Sequence, residues 1–357
     1  MNKKLLLAAS FCALFACVCF AGAKKSDNLE MIRSGLKDNS REIRELTAGT
    51  LGAVGDKTSV KTLKALISDP NENDSVKISA AVAVVKLGDR SGLAEIRKIL
   101  ANVPKLSENP KPFERARAIA KGTVRAQAAR ELGNLKDAES RGLLKRMVDD
   151  EDGRVADASL IALAKMGDPE GKKQFLSALE STKHEVRAKA AESLGEIRDG
   201  SAAVLLRKRL KDWDVNAKSA AVVALGKLQD KESLPAIKEL LWDKDDKIRE
   251  KAAEALGYMG DASVTPALEE LLKDANGFVR FTAVESLYKL GQSSGKEFVL
   301  GALKAQENEA KLRALGILAD IGTEKDIAKI EPLTRDADRK VSIAAAKAVV
   351  MIQSKEK

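Results

Sequence analysis

Along this chain an apolar position is followed four residues later by a small one and eight residues later by Leu or Val, again and again. Starting points fall at Ile43, Val76, Val124, Val155, Val186, Ala217, Ile248, Val279, Ala310 and Val341. The steps between them are 33, 48 and then seven of 31. The fourth position is always small, from Thr47 and Ala80 to Ala314 and Ala345, and the eighth runs from Leu51 and Val84 to Leu318 and Val349. Offsets of four and eight share one helical face. Small residues on that face let neighbouring helices approach closely.

Twelve and thirteen residues past the start, the chain often reads Gly-Asp, as at Gly55-Asp56, Gly88-Asp89, Gly167-Asp168 and Gly260-Asp261. Gly ends a first helix by entering the left-handed region, and Asp caps a second. Asp137, Asp199 and Asp230 keep the cap where Gly is missing. Ser40, Asn73, Asp152, Asp214, Asp245, Asn276 and Asp338 stand where they can cap the first helices. A second apolar column, including Leu63, Ile96, Leu144, Leu206, Ile237 and Leu268, belongs to the second helices.

Each period is thus a helical hairpin of about 31 residues. One hairpin cannot bury both faces, so neighbours must stack. The predicted fold is all-α: an α-α superhelix, or solenoid, of about nine hairpins with terminal half-units. The half-units are a stretch from Leu29 to Leu36 and a last helix near Val341 to Ile352. At about 10 Å per hairpin the stack would run roughly 90 Å.

One segment breaks register. Residues 104–121 insert Pro104, Pro110 and Pro112 and then a helix-forming stretch rich in Arg and Ala. Two readings stand side by side: a protruding loop that touches a partner, or a lengthened first helix with a loose lead-in.

Composition agrees with stacked helices, since 44% of residues are apolar but only 3% aromatic. The net charge of +9 is spread over 62 basic and 53 acidic residues, not gathered into the stripe of a nucleic-acid binder. Residues 1–23 have a different character. Lys3 and Lys4, an apolar run from Leu5 to Phe20 and Ala21-Gly22-Ala23 form the pattern of a secretory signal peptide. Cleavage after Ala23 leaves 24–357 as the repeat solenoid and implies export to a periplasm or the exterior. Cys12, Cys17 and Cys19 all lie in the leader, so the mature chain has no thiol. A loose lipobox at Leu14 to Cys17 offers the alternative of a lipid-anchored envelope scaffold, with membrane attachment through Cys17 alone.

The segments VRAKAAESLGEIRD, from Val186, and IREKAAEALGYMGD, from Ile248, resemble the short HEAT-like repeats of the phycobilisome-lyase type. The resemblance covers about residues 40–354 and concerns packing, turn and capping positions, so it implies an architecture and no activity. Two enzyme types come with it, bilin lyases and a deoxyhypusine-hydroxylase-like oxidoreductase with a di-iron centre held by several His-Glu pairs. This chain has one such pair, His184-Glu185, and no second His. Phosphate-loop, nucleophile-elbow and zinc motifs are missing. Asp149-Asp150-Glu151-Asp152 sits where a solvated turn is expected. No catalytic residue, metal site or cofactor is therefore assigned.

The expected function is a non-enzymatic scaffold binding a protein partner through an extended repeat surface. Twenty-one residues past the first six starts stand Lys64, Arg97, Lys145, Leu176, Arg207 and Lys238, a column basic in five of six hairpins that turns acidic or apolar later in the chain. By the HEAT resemblance, second helices line the concave face, so these residues would draw an acidic segment into a groove. Seven of the nine aromatics beyond the leader lie between residues 213 and 298. Trp213 and Trp242 are candidate hot spots, with space-filling between repeats as the other role, because Tyr288 holds a position that is Gly in several repeats. A ladder is also expected in which Arg or Lys one past each start pairs with turn carboxylates or helix-end carbonyls.

Overall fold

The computed structural model describes residues 25–355, so the leader, its cleavage site and Cys17 lie outside the described residues. Helices are the only regular elements among the described residues, and they pair in chain order as the periodicity predicts. After α1 (25–34) come the hairpins α2 (Arg41–Ala53) with α3 (Val60–Ser68), and α4 (Asp74–Lys86) with α5 (Gly92–Ala101). Next are α6 (Pro112–Asn134) with α7 (Arg141–Met147), α8 (Gly153–Lys165) with α9 (Pro169–Ala178), and α10 (His184–Ile197) with α11 (Ala203–Arg209). The series continues with α12 (Val215–Leu228) and α13 (Leu234–Glu239), α14 (Asp246–Met259) and α15 (Thr265–Glu270), and α16 (Gly277–Lys289) and α17 (Lys296–Ala302). It ends with α18 (Asn308–Ile321), α19 (Glu324–Ile330) and the single α20 (Arg339–Lys355). The insertion is both loop and helix: residues 102–111 are irregular, and α6 is lengthened to 23 residues.

Local chemistry explains the turns. Gly55, Gly88, Gly167 and Gly260 take φ of +74°, +102°, +88° and +72°, as a helix end in the left-handed region requires. Lys136, Arg198 and Gln229 take the same conformation without being Gly. Asn73, Asp152, Asp214, Asp245, Asn276 and Asp338 accept backbone N–H groups at the starts of first helices. Ser40 does not cap with its side chain; its own N–H is held by Asp38. Asp137 and Asp230 also fail to cap, because their carboxylates are taken by guanidinium groups described below.

Two compact units divide the chain, one of residues up to Gly92 and from Val299, the other Leu93 to Phe298. In the second, α10, α12, α14 and α16 stack in sequence over a core of Leu194, Leu225, Leu256 and Leu287. The eighth-position column is therefore buried, as expected. The stack is close because Gly195, Gly226 and Gly257 face the next helix. A methyl group on Gly226 would lie 2.5 Å from the Ala255 Cα, and one on Gly195 2.9 Å from the Ala224 Cα.

The first unit joins the two ends of the repeat array. Ala346 and Val350 of α20 are buried in one cluster with Ile32, Leu36, Leu51 and Leu63. Lys340 Nζ pairs with Glu42 at 2.6 Å, and Arg339 donates to Ser34. The terminal helices thus pack together and are not some 90 Å apart. The physical reason is that α20 carries the same apolar face as every first helix and finds it matched on α1 and α2.

Candidate partner-binding surface

A first ladder runs through the connections between hairpins. Arg187 donates to Asp212 from both Nε and Nη2 at 2.7 Å, while its Nη1 donates to the carbonyls of Ser181 and Thr182. Arg249 repeats this with Asp274 and the carbonyls of Asp243 and Lys244. Asp243 in turn takes Lys218 at 2.9 Å. Each rung therefore ties the turn before its helix to the turn after its hairpin. Arg125 with Asp150, Arg44 with Glu72 and Lys311 with Asp336 extend the series. The Arg187 guanidinium holds the Asp212 carboxyl below the usual carboxylate range, and Arg249 does the same to Asp274.

A second ladder takes most of the residues expected to bind a partner. Lys64 pairs with Asp89 at 2.5 Å, Arg97 with Asp137 at 2.6 Å, Lys145 with Asp168 at 3.1 Å and Arg207 with Asp230 at 2.5 Å. Each Asp follows the first helix of the next hairpin, so the column fastens neighbouring second helices. Lys64 holds Asp89 down at about 2. Burial alone would raise Asp56, but hydrogen bonds from Arg33, Ser59 and Thr58 outweigh it and leave the carboxyl at about 2. Four of the five basic candidates are therefore internally neutralised and do not form the free positive stripe the sequence suggests. Lys238 stands exposed. The missed signal was the Asp thirteen past each start, read only as a cap.

The aromatic candidates behave differently. Trp213 is 74% exposed on the connection from α11 to α12, and Trp242 is 54% exposed at the end of the turn Leu240–Trp242 before α14. They do not fill space between repeats. Phe281, packed on Phe298 at 4.8 Å between ring centres, does. Phe278, in the first turn of α16, is also exposed, so two successive hairpin connections of the second unit and the start of α16 each present a large aromatic ring. Trp213 is held rather than loose: His184 meets it edge-on at 5.2 Å, and the Arg187 guanidinium lies 5.8 Å from its ring centre. A cation near the ring face and a stacked edge fix its orientation.

His184 begins α10, with Nδ1 3.2 Å from Asp214 and Nε2 3.2 Å from Glu185. Within the acidic run, Asp150 is bound by Arg125 and Asp152 by Arg154. No group of three or more metal-ligating side chains converges among the described residues.

Stacked helical hairpins joined by ion-pair ladders, with rings on their connections, define a helical-repeat protein of the α-solenoid class. The HEAT-repeat sequence profile matches residues 21–106, 110–183, 173–257 and 243–309. The chain belongs to the HEAT-repeat family. Among solved structures, it is similar to the CpcE–CpcF complex of phycocyanin lyase from Nostoc sp. PCC7120, with 21% identity over 66% of this chain and 92% of that one and a TM-score of 0.43. It is also similar to human deoxyhypusine hydroxylase, at 18% identity over 75% and 97% of the two chains, with a TM-score of 0.33. A computationally designed armadillo repeat protein for modular peptide recognition matches at 20% identity over 55% and 99%, with a TM-score of 0.34. No curated protein matches at a significant level.

Proposed function

We propose that this HEAT-repeat chain is an exported, non-enzymatic scaffold that binds a protein partner along the hairpin connections of its second unit. The carrying observation is Trp213, 74% exposed yet oriented by His184 and Arg187. An indole held in place loses little freedom on binding and covers a large area, which is the character of a hot-spot residue. Trp242 on the next connection is the second anchor. Affinity then rests on aromatic burial more than on the basic column, four of whose five cations are already paired. A single His and no cysteine beyond the leader leave little room for His-based or thiol chemistry, which supports binding over catalysis. Export rests on the leader pattern.

Crosslinking in intact cells followed by pull-down tests the binding surface. Trp213→Ala with Trp242→Ala should remove the captured partner, whereas Lys238→Ala should retain it; capture unchanged by the double Trp variant rejects this surface. Intact mass tests export separately. A chain beginning at Lys24 supports it, and a retained Met1 or an acylated Cys17 overturns cleavage at that site.

A further inference from the structure

The longest helix carries a face that nothing in its own hairpin covers. Helix α6 has 23 residues, where α8 has 13 and α10 has 14. Its added turns begin at Pro112, with Phe113 66% exposed and Ile119 59% exposed. At 100° per residue, Phe113, Ala116, Ile119 and Ala120 fall within one arc of about 120°. Arg115 borders the arc on one side, and Arg117 and Lys121 border it on the other. The lead-in loop adds exposed Val103 and Leu106.

Charge on this segment is one-sided. Residues 103–121 contain five cations and two carboxylates, 5 − 2 = +3. One of the two, Glu114, is turned onto the helix start, accepting from the Lys111 N–H and the Ser107 hydroxyl. Arg115 and Lys121 donate only to neutral oxygens, of Pro110 and Asn102. The acidic turn Asp150-Glu151-Asp152 lines the same hollow as Val103, Leu106 and Ile119, but Asp150 and Asp152 are taken by Arg125 and Arg154, and the segment's own cations form no ion pair among the described residues, unlike those of the two ladders.

We propose that this segment docks on an anionic lipid bilayer surface. An amphipathic helix with cations on both borders of its apolar arc matches a helix lying in the interfacial plane. The Phe113 ring and the Ile119 side chain enter the acyl boundary while long basic stems carry their charges to the phosphates. Phe113 is open to solvent and Ile119 lines an open hollow, which a fluid surface fills without a shape matched to it. Such docking needs no lipid on Cys17, and because the apolar arc is small it is reversible.

The test is vesicle flotation of a chain beginning at Lys24, which carries every described residue. Phosphatidylglycerol-containing vesicles should float the protein and pure phosphatidylcholine vesicles should not. Phe113→Glu with Ile119→Glu should weaken binding about tenfold or more, as should salt raised from about 0.05 to 0.5 M. Because both positions are exposed, the thermal melt should not move. If it does, Lys111→Gln, Arg115→Gln and Arg117→Gln together provide the same test without touching the apolar arc. No flotation, or flotation equal for wild type and both variants, overturns the proposal. So does a wild type that dimerises through this face in sedimentation, or one that ignores vesicles and binds polyglutamate.

Discussion

Within the second unit, the steps from α10 to α16 and the step from α8 to α10 are built differently. In the first region Gly195, Gly226 and Gly257 recur nine residues past each start, and each would clash with the next helix if it carried a methyl group. At the same place in α8 stands Ala164, and α8 meets α10 over a smaller patch than α10 meets α12. The ladder is also interrupted there. Ala156 replaces the rung cation, and Ser181 replaces the carboxylate that other repeats carry 25 residues further on. More exposed surface pairs take over, Lys165 with Glu196 at 3.0 Å and Lys189 with Asp157. At this step, then, a bare backbone contact and a buried rung lapse together.

The largest expected effect comes from breaking a rung in the regular region. The side chains of Arg187 and Asp212 are only 5% and 1% exposed, so removing the cation leaves a buried carboxylate without its partner. Arg187→Ala should cost about 2–4 kcal/mol in chemical denaturation. Lys238→Ala, on an exposed column position, should stay within about 0.5 kcal/mol. Equal midpoints for the two variants would reduce the ladder to surface decoration.

Next is the backbone contact. Gly226→Ala places its methyl 2.5 Å from the Ala255 Cα, and separating two packed helices should cost about 1–3 kcal/mol. The same substitution at Gly316 in α18 meets nothing within 4 Å. There it should stabilise by about 0.5–1 kcal/mol through helix propensity. The sign of the effect, read from thermal melts, separates a contact glycine from a tolerated one.

These contrasts also show how far the sequence could be read. Hairpins, turns and the buried first-helix face followed from period, Gly-Asp pairs and the small column, because local propensity and packing agree at those positions. Tyr288, in place of the ninth-position Gly, was visible as an exception, and it stands shortly before the chain passes from one unit to the other. The candidate surface was half legible. Trp213 and Trp242 were identified as residues, but exposure depends on which way a ring turns at a connection, and no periodicity encodes that. The pairing of Lys64, Arg97, Lys145 and Arg207 is hard to see in the sequence because their Asp partners are 23 to 40 residues away, in a different hairpin. The meeting of α20 with α1 and α2 was invisible for a similar reason, since its contacts join residues as much as 305 positions apart.

A smaller effect concerns acid. Asp56 sits at about 2 in the folded chain against an ordinary 3.8, so folding favours its ionised form. That contribution is complete above about pH 4 and fades as pH falls toward 2. Asp56→Asn should be less stable near neutrality and should show a shallower loss of stability across that window. A wild type with the same acid slope as the variant, measured by urea midpoints at several pH values, would contradict the pairing with Arg33.

The smallest effect, and the one that bears most directly on the contrast between the two regions, is building the missing rung. Ala156 and Ser181 are both only partly buried, and they lie 25 residues apart, the separation of Arg187 from Asp212 and of Arg249 from Asp274. The carbonyls five and six residues before Ala156 belong to Glu151 and Asp150, matching the positions that serve Arg187 and Arg249. Ala156→Arg alone gains a cation without a carboxylate opposite it, and Ser181→Asp alone gains a carboxylate without a cation. Each should be neutral or slightly destabilising. Combined, they should recover a favourable coupling of about 0.5–1 kcal/mol in a double-mutant cycle. Asp150 would then accept from Arg125 through its side chain and from the new guanidinium through its carbonyl, as Asp243 does between Lys218 and Arg249. Zero coupling would mean that α8 and α10 stand too far apart for a rung. The close contact made by glycine would then be the condition for the ladder, and not a second feature that lapses beside it.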